Sequence, residues 1–183
     1  MEKTLLELFN KRYSCRKFEK DRIIEKEKIL QCLEAARIAP SASNSQPWKY
    51  IVVDEKGLKE KIVENLKIGN IKFNQFAKDA SALIIITEEP KNIELSIGQV
   101  ALGRNFASFD IGCSAMSFCL MATSLGLATC ILGIFDEKKI KKLLNIPFNR
   151  KITVIIALGY PLDEPKDKKR KELEKIYSFN SYN

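Results

Sequence analysis

The sequence predicts a layered domain of the α/β or α+β kind, because short β-branched runs alternate with amphipathic helical stretches along 183 residues. Three runs read as strands: residues 50–53, residues 82–87 with Ile84, Ile85 and Ile86 in succession, and residues 153–158. No internal repeat and no flexible linker interrupts the pattern, so a single domain over 1–183 is expected.

The elements follow in order. The first nine residues mix Glu2, Lys3 and Glu7 with leucines, which reads as the start of an amphipathic helix and not as the continuous apolar core of a signal peptide. Across 25–39, Ile29, Leu33 and Ala36 repeat at helical spacing, Leu30 widens the stripe and Pro40 ends it. The strand at 50–53 runs into a polar turn at 54–57. Residues 58–66 read as a helix, and 67–79 are too mixed to assign. The run 82–87 reads as a strand buried on both faces.

A long apolar helical stretch is expected over 93–125, where Arg104 and Asp110 are the charges beyond its first turn; such a helix is buried all round or in a subunit interface. Residues 111–135 carry no charge and are long enough to span a bilayer. Gly112, Ser114, Ser117, Thr123, Ser124, Gly126 and Thr129 dilute that run, and Gly126 reads as a helix stop, so a buried helix followed by a strand at 129–135 is the better account. A basic helix at 137–144 and the 153–158 strand complete the pattern.

Composition narrows the chemistry. The chain is 45% hydrophobic, enough for a core, and its 31 basic against 23 acidic residues give +8. That charge suits nucleic acid, acidic membranes or phosphate-bearing small molecules alike. Aromatic stacking motifs and a recognisable nucleic-acid module are lacking, so neither nucleic acid nor membrane is expected as a partner. Cys15, Cys32, Cys113, Cys119 and Cys130 form no CxxC pair and read as reduced cytoplasmic thiols. The absence of histidine excludes a His-based triad, a Cys/His zinc site and an imidazole proton shuttle.

Two segments carry chemistry. Arg12, Ser14 and Arg16 set two guanidinium forks around a hydroxyl, a donor set that wraps a phosphate; a solvated loop is the plainer reading. The run from Pro40 to Trp48 is rich in hydroxyl and amide groups, with Ser41, Asn44 and Gln46 able to hydrogen-bond a flat heterocycle and its polyol chain. Its plainer reading is a capped turn with Trp48 in the core. The basic cluster at 166–171 fits a nucleic-acid patch, a solvated face or a phosphate clamp.

Taken together, Arg12-x-Ser14-x-Arg16, the Pro40-Ser41-x-x-Asn44-x-Gln46-Pro47-Trp48 loop, Leu125-Gly126-Leu127 at the end of a helix, and Leu158-Gly159-Tyr160-Pro161 resemble the nitroreductase family, in that order, from about Leu5 to about Ile176. The resemblance implies an α+β fold with a central mixed sheet flanked by helices, and a homodimer with flavin mononucleotide (FMN) at its interface. It implies that Arg12, Ser14 and Arg16 hold the flavin phosphate, joined by Arg170 with Lys168 beside it, in a basic C-terminal extension from about 163. Pro40, Ser41, Ala42, Asn44 and Gln46 match the loop that reaches the flavin from the partner subunit. Cys130, Leu132 and Gly133 match the segment against the flavin ring, where a main-chain N–H near Leu132 or Gly133 meets flavin N5. Many longer relatives carry an acidic side chain at the position of Leu132. Cys130 itself reads as a small buried residue beside the ring.

The activity so implied is hydride transfer from NADH or NADPH to a small electron-poor acceptor, a nitroaromatic, a quinone or similar, by a ping-pong cycle. No catalytic side chain is demanded of the protein, because the flavin carries the redox chemistry. The alternatives are a non-catalytic flavin-binding or storage protein, or an offshoot that reduces enones, halogenated phenols or free flavin.

Overall fold

A computed structural model describes residues 2–89, 105–165 and 168–182. Its elements are helices α1 (Glu2–Lys11), α2 (Lys26–Arg37), α3 (Lys56–Val63), α4 (Phe106–Ser124) and α5 (Glu137–Leu143), and strands β1 (Trp48–Val53), β2 (Lys67–Ile68), β3 (Ile71–Lys72), β4 (Ala82–Glu88), β5 (Ala128–Leu132) and β6 (Lys151–Gly159). Four strands form the central sheet in the order β1-β4-β6-β5.

Every pair in that sheet is antiparallel. Among the described strands the sheet is therefore antiparallel where a mixed one is expected, and parallel pairing is confined to an isolated bridge from Ser14 to Thr129 on the outer edge of β5. Strand β4 lies inside the sheet, and its residues alternate between two cores. Leu83 and Ile85 pack with Ile62 and Val63 of α3 and Ile140 of α5. Ala82, Ile84 and Ile86 pack with Cys32 and Ala36 of α2 and with Ile111 and Phe118 of α4. Helices therefore cover both faces, and this is why three isoleucines can follow one another in an antiparallel strand. Each contributes about 1.5–3 kcal/mol of hydrophobic stabilisation by its burial.

Several boundaries differ from the sequence expectation, each for a local reason. Helix α3 starts two residues before 58 because Glu55 caps it, accepting from the N–H groups of Gly57 (2.8 Å) and Leu58 (2.6 Å). Strand β1 begins at Trp48 because Trp48 and Lys49 pair with Glu88 and Thr87. Strand β5 ends at Leu132, not at Phe135, because Leu132 opposite Ile155 is its last pair with β6. The unassigned stretch 67–79 is the β2–β3 hairpin turning on Gly69 (φ 57°), then a short 3₁₀ turn, Gln75–Asp79. Of the long apolar helix, the part at 93–104 lies outside the described residues, and α4 is its remainder.

Helix α4 is long and apolar enough to cross a membrane by length and composition. Its buried positions Ile111, Ser114, Ala115, Phe118, Cys119 and Ala122 recur at helical spacing and face the core. The buried Ser114 hydroxyl is satisfied, donating to Ala36 O (2.8 Å) and accepting from the Tyr50 hydroxyl (2.6 Å).

The chain ends of the core are pinned by the segment after β6. Phe18 bridges Pro161, Glu19 N–H donates to Tyr160 O (2.9 Å), and Leu162 N–H donates to Lys17 O (3.0 Å). The Tyr160 hydroxyl donates to Glu25 (2.6 Å) and accepts from Lys28 (2.7 Å), while the Arg22 guanidinium sits 3.4 Å above the ring centroid.

Two predictions follow from this packing. A Cβ at Gly159 would lie 2.7 Å from the Phe18 ring and 3.2 Å from the Ser81 backbone nitrogen. Gly159→Ala is expected to cost about 1–3 kcal/mol in urea denaturation, the scale of overpacking, and an unchanged midpoint would mean that Phe18 yields freely. The hydrogen bond from Tyr160, with its own backbone N–H and Lys28, holds the Glu25 carboxyl at about 2, below the ordinary 4.5. A depressed carboxyl contributes stability that is present above its unfolded value and is lost as pH falls through the folded one. Tyr160→Phe should therefore lower the thermal midpoint at pH 7, with the gap from the parent narrowing as pH falls from 4.5 to 2. A pH-independent gap would remove Glu25 from the account.

Candidate functional site

Helix α1 ends as Arg12 N–H donates to Leu8 O, and the chain then runs extended along the outer edge of β5. Cys15 N–H donates to Thr129 O at 3.0 Å, beside the Ser14–Thr129 bridge. Extended backbone alternates its side chains, so Cys15 is buried completely while Ser14 and Arg16 stay exposed. The two forks and the hydroxyl thus face outward from a segment whose backbone is fixed.

The far end of the chain comes to the same place. The Lys168 ammonium donates to the α1 terminal carbonyls of Phe9 (2.7 Å) and Asn10 (2.6 Å), which the helix itself leaves unpaired. The Tyr13 hydroxyl donates to Asp163 O (2.6 Å) and reaches its carboxylate (3.3 Å). Arg12, Ser14, Arg16, Lys168 and Arg170 accordingly line one cavity of about 410 Å³, together with Tyr13, Lys17, Asp163 and Glu164. A second cavity of about 620 Å³ shares Arg12, Lys168 and Arg170 and adds Phe9 and Met116.

Five cations against two carboxylates leave the first cavity with a formal +3. Burial, and then the charges of Arg12 and Arg170, push the Lys168 ammonium below its ordinary value. Like charges gathered on a rigid edge cost free energy unless an anion joins them, and a phosphate supplies up to two negative charges and several acceptor oxygens. Tyr13, Lys17, Asp163 and Glu164 were missed in the sequence; Tyr13 and Lys17 lie inside and beside the motif, while the acidic pair carries no local signal.

The Pro40–Gln46 residues do not line that cavity. Ala42–Asn44 is a 3₁₀ turn with left-handed backbone at Ser43 (φ 50°) and Asn44 (φ 52°), followed by Gln46 (φ 45°). Such residues are strained unless their surroundings hold them. Here the Ala42 N–H donates to both carboxylate oxygens of Asp110 (3.2 Å each), Gln46 N–H donates to Ser41 Oγ (3.0 Å), and the Gln46 amide donates to Asn44 Oδ1 (3.2 Å). Asp110, the single charge of α4, is buried and is the anchor of this loop; a lone charge in an apolar helix was the signal available for it.

Along β5, Cys130 and Leu132 turn their side chains into the core, at 3% and 2% exposure, whereas Ile131 is half-exposed and Gly133 is open. Only main chain at 132–133 and the Ile131 side chain are therefore available outside. Burial pushes the Cys130 thiol up, against the opposing pull of Arg16, so it is a small core residue and a poor thiolate.

The antiparallel sheet between two helical layers defines an α+β protein, and the cavity on its β5 edge has the charge to take an anionic ligand. The chain belongs to the Nitroreductase family, whose sequence model matches residues 10–160. It is 29% identical over 196 residues to the oxygen-insensitive NADPH nitroreductase of Helicobacter acinonychis, covering 90% of this chain and 91% of that one. It is 28% identical over 202 residues to the iodotyrosine deiodinase of Thermotoga neapolitana, covering 98% and 100%. The solved FMN-dependent nitroreductase of Clostridium difficile superposes with a TM-score of 0.78 at 28% identity, over 97% of this chain and 99% of that one.

The loop anchor is testable. Asp110→Ala removes a charged acceptor from the Ala42 N–H and is expected to destabilise by about 1–3 kcal/mol and to open residues 41–46 to limited proteolysis. Unchanged cleavage would show that the turn holds itself.

Proposed function

We propose that this chain is a cytoplasmic, homodimeric, FMN-dependent oxidoreductase that uses NADH or NADPH to reduce a small electron-poor acceptor such as a nitroaromatic or a quinone. The observation that carries the reading is the formal +3 cavity, where Arg12, Ser14 and Arg16 on the β5 edge meet Lys168 and Arg170 from the C-terminal segment. These residues fit a flavin phosphate: forks, an ammonium and a hydroxyl converge on one space, and two of the groups are held by backbone pairing or helix-end carbonyls. When bound, FMN supplies the acceptance of hydride from the nicotinamide and its delivery to the acceptor.

The chain's own residues bind and orient. Main-chain N–H at 132–133 is the polar group that the β5 end offers a ring, since the Cys130 and Leu132 side chains face inward. Pro40, Ser41, Ala42, Asn44 and Gln46, held off the cavity by Asp110, are assigned to the flavin of the second subunit. A second copy also accounts for the apolar exposure of Leu5, Leu6, Phe109, Met116, Ile176 and Phe179. Five free thiols agree with a reducing compartment.

A second reading, reductive removal of halogen from a phenol, is favoured by the end-to-end match to the Thermotoga deiodinase. Nitrofurazone and a halogenated tyrosine used as rival acceptors separate the two.

The test is the visible spectrum of FMN-loaded protein before and after NADH or NADPH without oxygen. Bleaching of the flavin bands is expected, and bands that persist with both donors would overturn the oxidoreductase reading in favour of a binding protein. In the same preparation Arg16→Ala should weaken FMN binding by about 1.5–3 kcal/mol, the scale of a charged hydrogen bond. Equal affinity would remove Arg16 from the phosphate site.

A further inference from the structure

A cavity of about 360 Å³ lies where α3, the turn before α2 and the start of β4 meet, and shares no lining residue with the Arg12 cavity. Two polar groups in its wall are unusual. Lys59 of α3 is 9% exposed, and its ammonium donates to the carbonyl of Ala80; among the described residues it has no carboxylate within ion-pair distance. An ammonium has three donors, so this contact leaves capacity to spare. The Ser81 hydroxyl is buried and has no hydrogen-bond partner. Buried polar groups left in this way are rare and call for an explanation.

The remaining charges at the cavity are Asp21, Arg22, Asp54 and Lys56. Lys56 pairs with Asp21 at 3.3 Å, and Arg22 pairs with Glu19 at 2.8 Å. Asp54 is solvent-exposed. The lining holds three cations against two carboxylates, a formal +1, and Lys59 is the cation among them that is buried. Burial pushes it below its ordinary value, and an adjoining anion would reverse that. Ile24, Ile29 and Ala82, all buried, give the same space an apolar wall.

We propose that this cavity is a second ligand site, taking a small monoanionic carboxylate whose oxygens accept from the Lys59 ammonium and the Ser81 hydroxyl while a short apolar tail lies against Ile24 and Ile29. A monoanion balances the formal +1 of the lining; a dianion would overshoot it beside Asp21 and Asp54. The volume is at the small end of ligand sites, which fits a molecule of a few carbons.

The experiment is calorimetric titration of the FMN-loaded full-length protein with butyrate, with acetate and inorganic phosphate as comparators. Saturable butyrate binding is expected, about fourfold tighter per methylene on going from acetate upward. Ser81→Ala should weaken butyrate about tenfold. The same change should leave the thermal midpoint of the unliganded protein level or higher, because it removes an unpaired buried hydroxyl. Lys59→Met should abolish binding; should that variant fail to fold, Ser81→Ala decides. Absence of saturable butyrate binding, or equal affinity in the parent and Ser81→Ala, overturns the site. Phosphate binding as tightly as butyrate overturns the carboxylate and its apolar tail.

Discussion

The bond from Cys15 N–H to Thr129 O, 3.0 Å long, is the interaction on which the candidate site depends. It fixes an extended segment to the open edge of β5, and the fully buried Cys15 side chain fixes which way that segment faces. A shift by one residue would send Ser14 and Arg16 inward and Cys15 out, since side chains alternate along extended backbone. The edge is itself made rigid by β6, and β6 by β4, which both helical layers cover. The cationic surface is therefore an outgrowth of the core, and the entropy of ordering the backbone that bears Ser14 and Arg16 is met in folding.

The same edge explains why the C-terminal segment belongs to the site. Strand β6 ends at Gly159, whose lack of a side chain admits Phe18, and Tyr160 to Leu162 then pair back with residues 17–19. That antiparallel contact carries the chain past Tyr13, which takes up Asp163, and onward until Lys168 meets the carbonyls that end α1. Each link satisfies a group that would otherwise be unpaired. The +3 cavity results from closing this loop, without any ion pair between its cations and carboxylates among the described residues.

Much of this was legible in the sequence, and the physical reasons for success and failure differ. The isoleucine run at 84–86 predicts a doubly buried strand because no half-exposed strand tolerates it, and β4 is such a strand. The Arg12, Ser14 and Arg16 segment stands out through its resemblance to the family, because by itself its plainer reading is a solvated loop. Helix α3 starts early because Glu55 caps it, a contact between side chain and main chain that apolar periodicity does not register. The short strands at 67–72 bury too little to leave a pattern. Asp163 and Glu164 enter the cavity through the long-range pairing after β6, which no local spacing encodes. Leu132 marks the opposite case: as a departure from acidic relatives it invites a functional reading, yet its side chain packs in the core, and what it offers outward is main chain.

The loop at 41–46 raises the remaining question of why a protein keeps three left-handed non-glycine residues in four positions. Each such residue costs on the order of 1 kcal/mol or more, and the loop survives because Asp110, Ser41 and Asn44 hold it from several sides. Strain so carefully maintained marks a conformation set before any ligand arrives. Asp110 and Met116 lie about 9 Å apart along α4, and Met116 turns outward to the second cationic cavity while Asp110 turns inward to the loop. One copy thus presents its cations and its preformed loop from different sides of the same helix. On the proposed reading a second copy that receives the loop of the first would give the strain of the loop and the apolar exposure around it a single cause.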